Sequence, residues 1–169
     1  MRNIKRNSFT GLIMVFVCAF IGLSWGADVN GQAQKSRAAV SSIPANQQPL
    51  FTEYKGVRLG MTAEEARAKL GEPAIKANDQ DYYVFSDKEA VQIVYDAGLR
   101  VTAISIDYVG GVGAPDPKLV VGTNLETIQN GSLYKIVHYE SRGFWVSYNR
   151  TPGPVVMVTI TIQKILGGR

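Results

Sequence analysis

A helix start signal and a helix stop signal stand close together in this chain, and what lies between them cannot fold alone. Thr62-Ala63-Glu64-Glu65 places a glutamate three positions after a hydroxyl residue. That is the spacing of a capping box, in which Thr62 accepts from the amide of Glu65 and Glu65 accepts from the amide of Thr62. Met61 before the cap faces Ala66 as a small-residue hydrophobic staple. Ala63, Ala66, Ala68 and Leu70 favour helix, Gly71 supplies a left-handed residue past its end, and Pro73 stops propagation. So short a helix is not stable in isolation. Its apolar stripe of Ala63, Ala66 and Leu70, with Glu64, Arg67 and Lys69 outside it, must dock on something.

The residues that follow supply the platform. Tyr82–Phe85, Val91–Asp96 and Val101–Tyr108 are β-branched and aromatic runs, separated by Ser86–Glu89 and Ala97–Arg100 at lengths suited to antiparallel hairpins. Gly110-Gly111-Val112-Gly113-Ala114-Pro115-Asp116-Pro117 then punctuates the chain. A second Thr-x-x-Glu follows at Thr123–Glu126, with Asn130-Gly131 predicted to end a second helix, and three more strand-like runs at Leu133–Tyr139, Phe144–Tyr148 and Val155–Ile162. The predicted class is α+β, with two helix-plus-three-stranded antiparallel units forming one layered helix-on-sheet domain. The expected boundaries are 51–109 and 118–166 within a folded region 49–166.

The N-terminal segment reads as an address. Arg2, Lys5 and Arg6 precede an uninterrupted apolar stretch from Gly11 to Leu23, and Ser24-Trp25-Gly26 places small residues before Ala27. This is the layout of a secretory signal peptide, residues 1–26, with cleavage expected because a retained span takes about 20 apolar residues. Cys18, inside the apolar run after Phe16-Val17, does not fit a lipidation site. Residues 27–48, rich in Gln, Ser, Asn and Ala, are expected to form a flexible leader. Three of the 18 basic residues and none of the 14 acidic ones precede Ala27, so the exported part carries 15 against 14, a balance of +1. Nucleic-acid binding therefore has almost no electrostatic support. The single cysteine leaves with the signal, which removes disulfides and cysteine-based metal or redox sites from the expectation.

Alternation sorts the strands into two faces. Ile104, Ile106 and Tyr108, then Phe144, Val146 and Tyr148, then Val156, Val158, Ile160 and Ile162 are predicted to face the core. The opposite face is predicted to carry Ala103, Ser105 and Asp107; Lys135, Val137 and Tyr139; Trp145 and Ser147; and Met157, Thr159 and Thr161. From these come the candidate partner-binding residues: Trp145, Tyr139, Lys135, Ser147 and Asp107. The aromatic pair is read either as an interface anchor or as cross-strand stabilisation.

Catalytic material is sparse. His138 is the only histidine, predicted to share a side with Ile136 and Tyr134, and it fits either a hydrogen-bonded structural imidazole or a general base beside a carboxylate. No metal and no cofactor are expected. There is no Gly-x-Ser-x-Gly elbow, and the run Gly110–Gly113 leads into Pro-Asp-Pro rather than promptly into a helix, unlike a phosphate loop. Glu64 and Glu65 are assigned to the helix N-terminus rather than to an acid–base pair.

Gly60-Met61-Thr62, Glu65 and Leu70-Gly71-Glu72-Pro73, preceded by Val57-Arg58-Leu59 and followed by three strands, resemble the SmpA/OmlA family of BamE-like envelope domains. The tandem plan is similar to the β-lactamase inhibitor protein fold. The resemblance implies a non-enzymatic, exported, protein-binding domain, periplasmic or extracellular, with another protein as its partner. The chain departs from those patterns in lacking a lipidation site and disulfides. The alternatives are a small hydrolase using His138, and an envelope protein with no distinct site.

Overall fold

The capping box forms as its residues require. In a computed structural model that describes residues 41–42 and 48–165, helix α1 spans Ala63–Leu70. Thr62 Oγ1 accepts from the Glu65 amide at 3.2 Å, and Glu65 accepts from the Thr62 amide at 2.8 Å. Gly71 ends the helix at φ 85°, ψ −162°. This is a region essentially restricted to glycine, although not the left-handed helical one expected from the sequence. The start of α1 is hooked onto the turn before Val101. The Gly60 amide donates to the Val101 carbonyl at 2.8 Å, the Val101 amide to Met61 at 2.8 Å, and the Ala63 amide to Leu99 at 2.9 Å.

The sheet runs through the rest of the chain. A short hairpin, β2 (Glu53–Tyr54) and β3 (Val57–Arg58), precedes α1. After α1 come β4 (Ile75–Lys76), β5 (Gln80–Val84), β6 (Glu89–Tyr95) and β7 (Val101–Val109), an antiparallel meander. After helix α2 (Pro117–Val121) come β8 (Glu126–Thr127), β9 (Leu133–Tyr139), β10 (Phe144–Thr151) and β11 (Met157–Lys164). The last strands of the two runs, β7 and β11, pair antiparallel with Ile106 opposite Ile160 and Ile104 opposite Ile162. One sheet results, ordered β9-β10-β11-β7-β6-β5-β4, with β8 beside β9. The two residues of β1 (Ser41–Ser42), within the expected leader, add to β9 in parallel. The remaining signal and leader expectations lie outside the described residues. No described helix is long and apolar enough to cross a membrane.

The fold is α+β and mostly β, but the repeated helix-plus-three-strand unit is not what forms. Thr123–Gly131 is not a helix. Glu126-Thr127 pairs with Tyr134-Leu133, and Ile128–Gly131 makes a turn in which the Gly131 amide donates to Ile128 at 2.9 Å. Asn124, Thr127, Gln129 and Asn130 are poor helix formers, and Ser132 instead donates its amide to Asn130 Oδ1. The second helix lies upstream, in what reads as punctuation. Asp116 caps it by accepting from the Lys118 amide at 2.8 Å, and Pro117 occupies the first turn, where a missing N–H costs nothing.

Both helices and the β2–β3 hairpin pack on one face. Its centre is Ile93, Ile104, Ile106, Ile160 and Ile162, all 0 % exposed, covered by Ala63, Ala66, Val57, Val120 and Val121. Arg67 does not point to solvent as the helical stripe suggests. Its guanidinium reaches down to Asp81, which is fully buried, through Nε at 2.8 Å and Nη2 at 3.0 Å. Tyr95 donates to the same carboxylate at 2.7 Å. Removing one partner of a buried pair strands the other, so Asp81→Asn is expected to lower the unfolding free energy by about 3 kcal/mol, read as a reduced urea midpoint.

Burial pushes the hydroxyls of Tyr83 and Tyr108 up to about 12, and raises Tyr54 and Tyr95 still further. Tyrosine in the unfolded chain ionises near pH 10. Between these values the unfolded state holds fewer protons than the folded one. The stability that Tyr83 and Tyr108 contribute is whole below about pH 10 and is lost as pH rises towards 12, while the loss from Tyr54 and Tyr95 starts in the same place and continues beyond it. The urea midpoint, followed by far-ultraviolet circular dichroism, is expected to fall through that window.

Candidate functional site

The hairpin β9–β10 decides which side chains share a surface. Four residues, Glu140–Gly143, connect the strands; Glu140–Arg142 form a single 3-10 turn, and Gly143 closes it at φ 71°, ψ 27°. This loop sets Tyr139 opposite Phe144 and His138 opposite Trp145. Phe144 belongs to the helix side, so Tyr139 does too. Tyr139 is 6 % exposed, with its ring 5.2 Å from that of Phe144. Val137 (opposite Val146) and Lys135 (opposite Tyr148) follow it onto the helix side, and the Lys135 ammonium reaches Glu126 of β8 at the sheet's border.

The expected surface of Tyr139, Lys135, Trp145, Ser147 and Asp107 is therefore split between two faces. Trp145, Ser147 and Asp107 stand on the face away from the helices, and Tyr139 and Lys135 do not. The strand Leu133–Tyr139 carries apolar residues at both parities, so alternation alone cannot orient it. The loop count can: once Phe144 is assigned to the core, a four-residue connection carries Tyr139 there with it.

The open face can be written as three rows across the strands. One runs His138, Trp145, Gln163, Ala103, Val94, Gln80. The next runs Ile136, Ser147, Thr161, Ser105, Gln92, Tyr82, Ile75. The third runs Glu126, Tyr134, Asn149, Thr159, Asp107, Ala90, Val84. The middle row crosses seven strands, about 30 Å at the usual strand spacing. Among the described residues no helix lies over these rows, and most of their side chains are half-buried by one another.

Two physical properties distinguish this face. Its middle is tied down by local polar bonds: Thr159 donates to Asp107 at 2.6 Å, the hydroxyls of Ser105 and Thr161 meet at 3.2 Å, and Gln92 donates to Gln80 at 2.6 Å. It is also almost uncharged. Asp107 and, at the outer border, Glu126 are the two Asp, Glu, Lys or Arg residues in the three rows, and both carboxylates are already engaged, by Thr159 and by Lys135. Aromatic groups stand at both ends: Tyr134 and Trp145 with His138 and Ile136 on one side, Tyr82 on the other. Asn149 Oδ1 is buried with no hydrogen-bond partner among the described residues. Ser147, flanked by the larger Ile136 and Thr161, is only 7 % exposed and offers little contact of its own.

His138 has a tryptophan across the strand rather than an acid. Among the described residues, no carboxylate hydrogen-bonds or ion-pairs with its imidazole, and no cluster of His, Cys, Asp or Glu could hold a metal ion. No protein-family model, curated protein or solved structure matches this chain.

The two faces make opposite demands under truncation. Tyr139→Ala empties a packed site and is expected to lower the unfolding free energy by about 3–4 kcal/mol. His138→Ala, one residue away on the open face, is expected to stay within about 0.5 kcal/mol. Urea unfolding of both variants, followed by far-ultraviolet circular dichroism, reads the difference directly.

Proposed function

We propose that the chain is an exported, non-enzymatic module that binds another protein in the bacterial envelope or extracellular space through the open face of its sheet. The observation that carries this reading is the scarcity of charge on a broad face bearing aromatic residues. A sheet face that stays in water is normally dressed with Lys and Glu, whereas the central part of a protein interface is depleted of them and enriched in Trp and Tyr. Here two engaged carboxylates, Asp107 and Glu126 at the outer border, stand among three rows of Ser, Thr, Gln, Ala and aromatic side chains. Hydroxyl and amide groups already bonded to neighbours need little further desolvation when a partner covers them.

The contact centre is placed at Trp145, with His138, Gln163, Ile136 and Tyr134 around it; Asp107 and Thr159 form a polar border. Trp and Tyr supply large contact area at small loss of conformational freedom, which is why they dominate binding energy at interfaces. The resemblance of Gly60–Pro73 to SmpA/OmlA domains supports the same class of role, since the motif's residues are occupied in capping and docking α1. A hydrolytic role for His138 would call for an acidic partner, and its cross-strand neighbour Trp145 provides none.

Affinity capture from envelope extracts tests the reading. Wild type, a Trp145→Ala/Tyr134→Ala variant and a Leu119→Ser variant are compared, Leu119 being 66 % exposed on α2 across the sheet. The partner is expected to be lost with the open-face variant and kept with the α2 variant. Equal recovery with all three, each folded, sinks the proposal.

A further inference from the structure

On the helix side of the sheet, away from the open face, lies a cleft of about 340 Å³. It opens between the β3–α1 connection, the β9–β10 turn and the end of β11, and its lining is of two kinds. Leu59, Phe144 and Ile162 make an apolar floor, with Ile162 fully buried and the other two half-buried against the core. Arg58, Arg142 and Lys164 line it as well, three cations converging from three separate segments. Phe144 and Lys164 are directly paired across β10 and β11, which fixes a ring of the floor beside an ammonium of the rim.

The charges are not balanced internally. Arg58 pairs with Glu53. Arg142 and Lys164 have no acidic partner within ion-pair distance among the described residues. The other carboxylate near Lys164, Asp96, is held by the amides of Gly98 and Arg100, both at 2.9 Å. Two cations without an ion-pair partner among the described residues thus line a cleft together with Leu59, Phe144 and Ile162. Most small-molecule sites combine an apolar lining with a few placed polar groups, and this volume stands at the lower end of their range.

We propose that this cleft binds an amphipathic oxyanion: a carboxylate or phosphate carried on a short hydrocarbon body. The oxyanion would lie between Arg142 and Lys164, with Arg58 able to turn from Glu53 towards it, and the hydrocarbon on Leu59, Phe144 and Ile162. An arginine fork matches the oxygens of either head group, and the lysine adds a compact point charge without demanding one geometry. The volume suits a body of about ten non-hydrogen atoms at the roughly 30 Å³ that a water occupies in liquid. The site is independent of the open face, so the binding of a protein there neither requires nor excludes it.

The experiment is titration of the 15N-labelled full chain with octanoate, octyl phosphate, octanol and acetate, followed by amide shifts. Saturable shifts with octanoate or octyl phosphate, centred on Leu59, Gly143, Phe144 and Lys164, support the proposal, and the tighter of the two identifies the head group. Arg142→Gln and Lys164→Gln are each expected to weaken that binding about tenfold, the loss of one charge-assisted hydrogen bond, with the urea midpoint unchanged. Octanol binding as tightly as octanoate would overturn it, because the cations then contribute nothing. Acetate binding as tightly would overturn it equally, because the floor then contributes nothing. Absence of localised shifts, or shifts that persist in the Arg142→Gln/Lys164→Gln double variant, overturns it outright.

Discussion

Everything in this fold hangs on the seam between β7 and β11. Ile104, Ile106, Ile160 and Ile162 meet there as a block of four side chains with no solvent exposure, two from each half of the chain. Neither half has a sufficient core without the other, since α1 buries chiefly two alanines and α2 two valines. Pairing the final strands of the two meanders lays one continuous floor beneath both helices. It also brings together residues more than fifty positions apart, so the decisive contacts are the ones that loop closure makes slowest to find. The local hooks at Gly60, Met61 and Ala63 secure α1 to the first meander independently of that seam.

Much of this was legible where a residue's requirement is local. Thr62, Glu65 and Gly71 bounded α1 because capping needs a particular side chain at a particular spacing, and the long β-branched runs located six strands to within a few residues. What failed was non-local. The Thr-x-x-Glu at Thr123 has the letters of a capping box, but the residues behind it lack helical propensity and β9 offers them a ladder instead. Asp116-Pro117 looked like punctuation because proline ends helices more conspicuously than it begins them. Arg67 was read as solvent-facing because a helical stripe says nothing of a buried carboxylate arriving from Asp81, fourteen positions later.

The candidate surface shows the same division on a finer scale. Three of its five expected members were placed on the right face and two were not, and a single strand accounts for both errors. Tyr139 and Lys135 went wrong together because a β-strand's parity is all or nothing. His138, Ile136 and Tyr134 take their places for the same reason. The signal was available in the four residues between Tyr139 and Phe144, which bind the orientation of one strand to that of the next.

A broad sheet with a nearly uncharged face carries a hazard that the short strands at its borders contain. Among the described residues, beyond β5 lies only the two-residue β4, ending in Lys76, and along the outer side of β9 the two-residue β8 and β1 cover its two ends. An incoming extended chain finds, among the described residues, no long row of free amides and carbonyls to zip onto at either border. Open-ended stacking of copies, edge to edge into fibrils, is thereby discouraged, and what the sheet leaves exposed to other molecules is side chains rather than backbone.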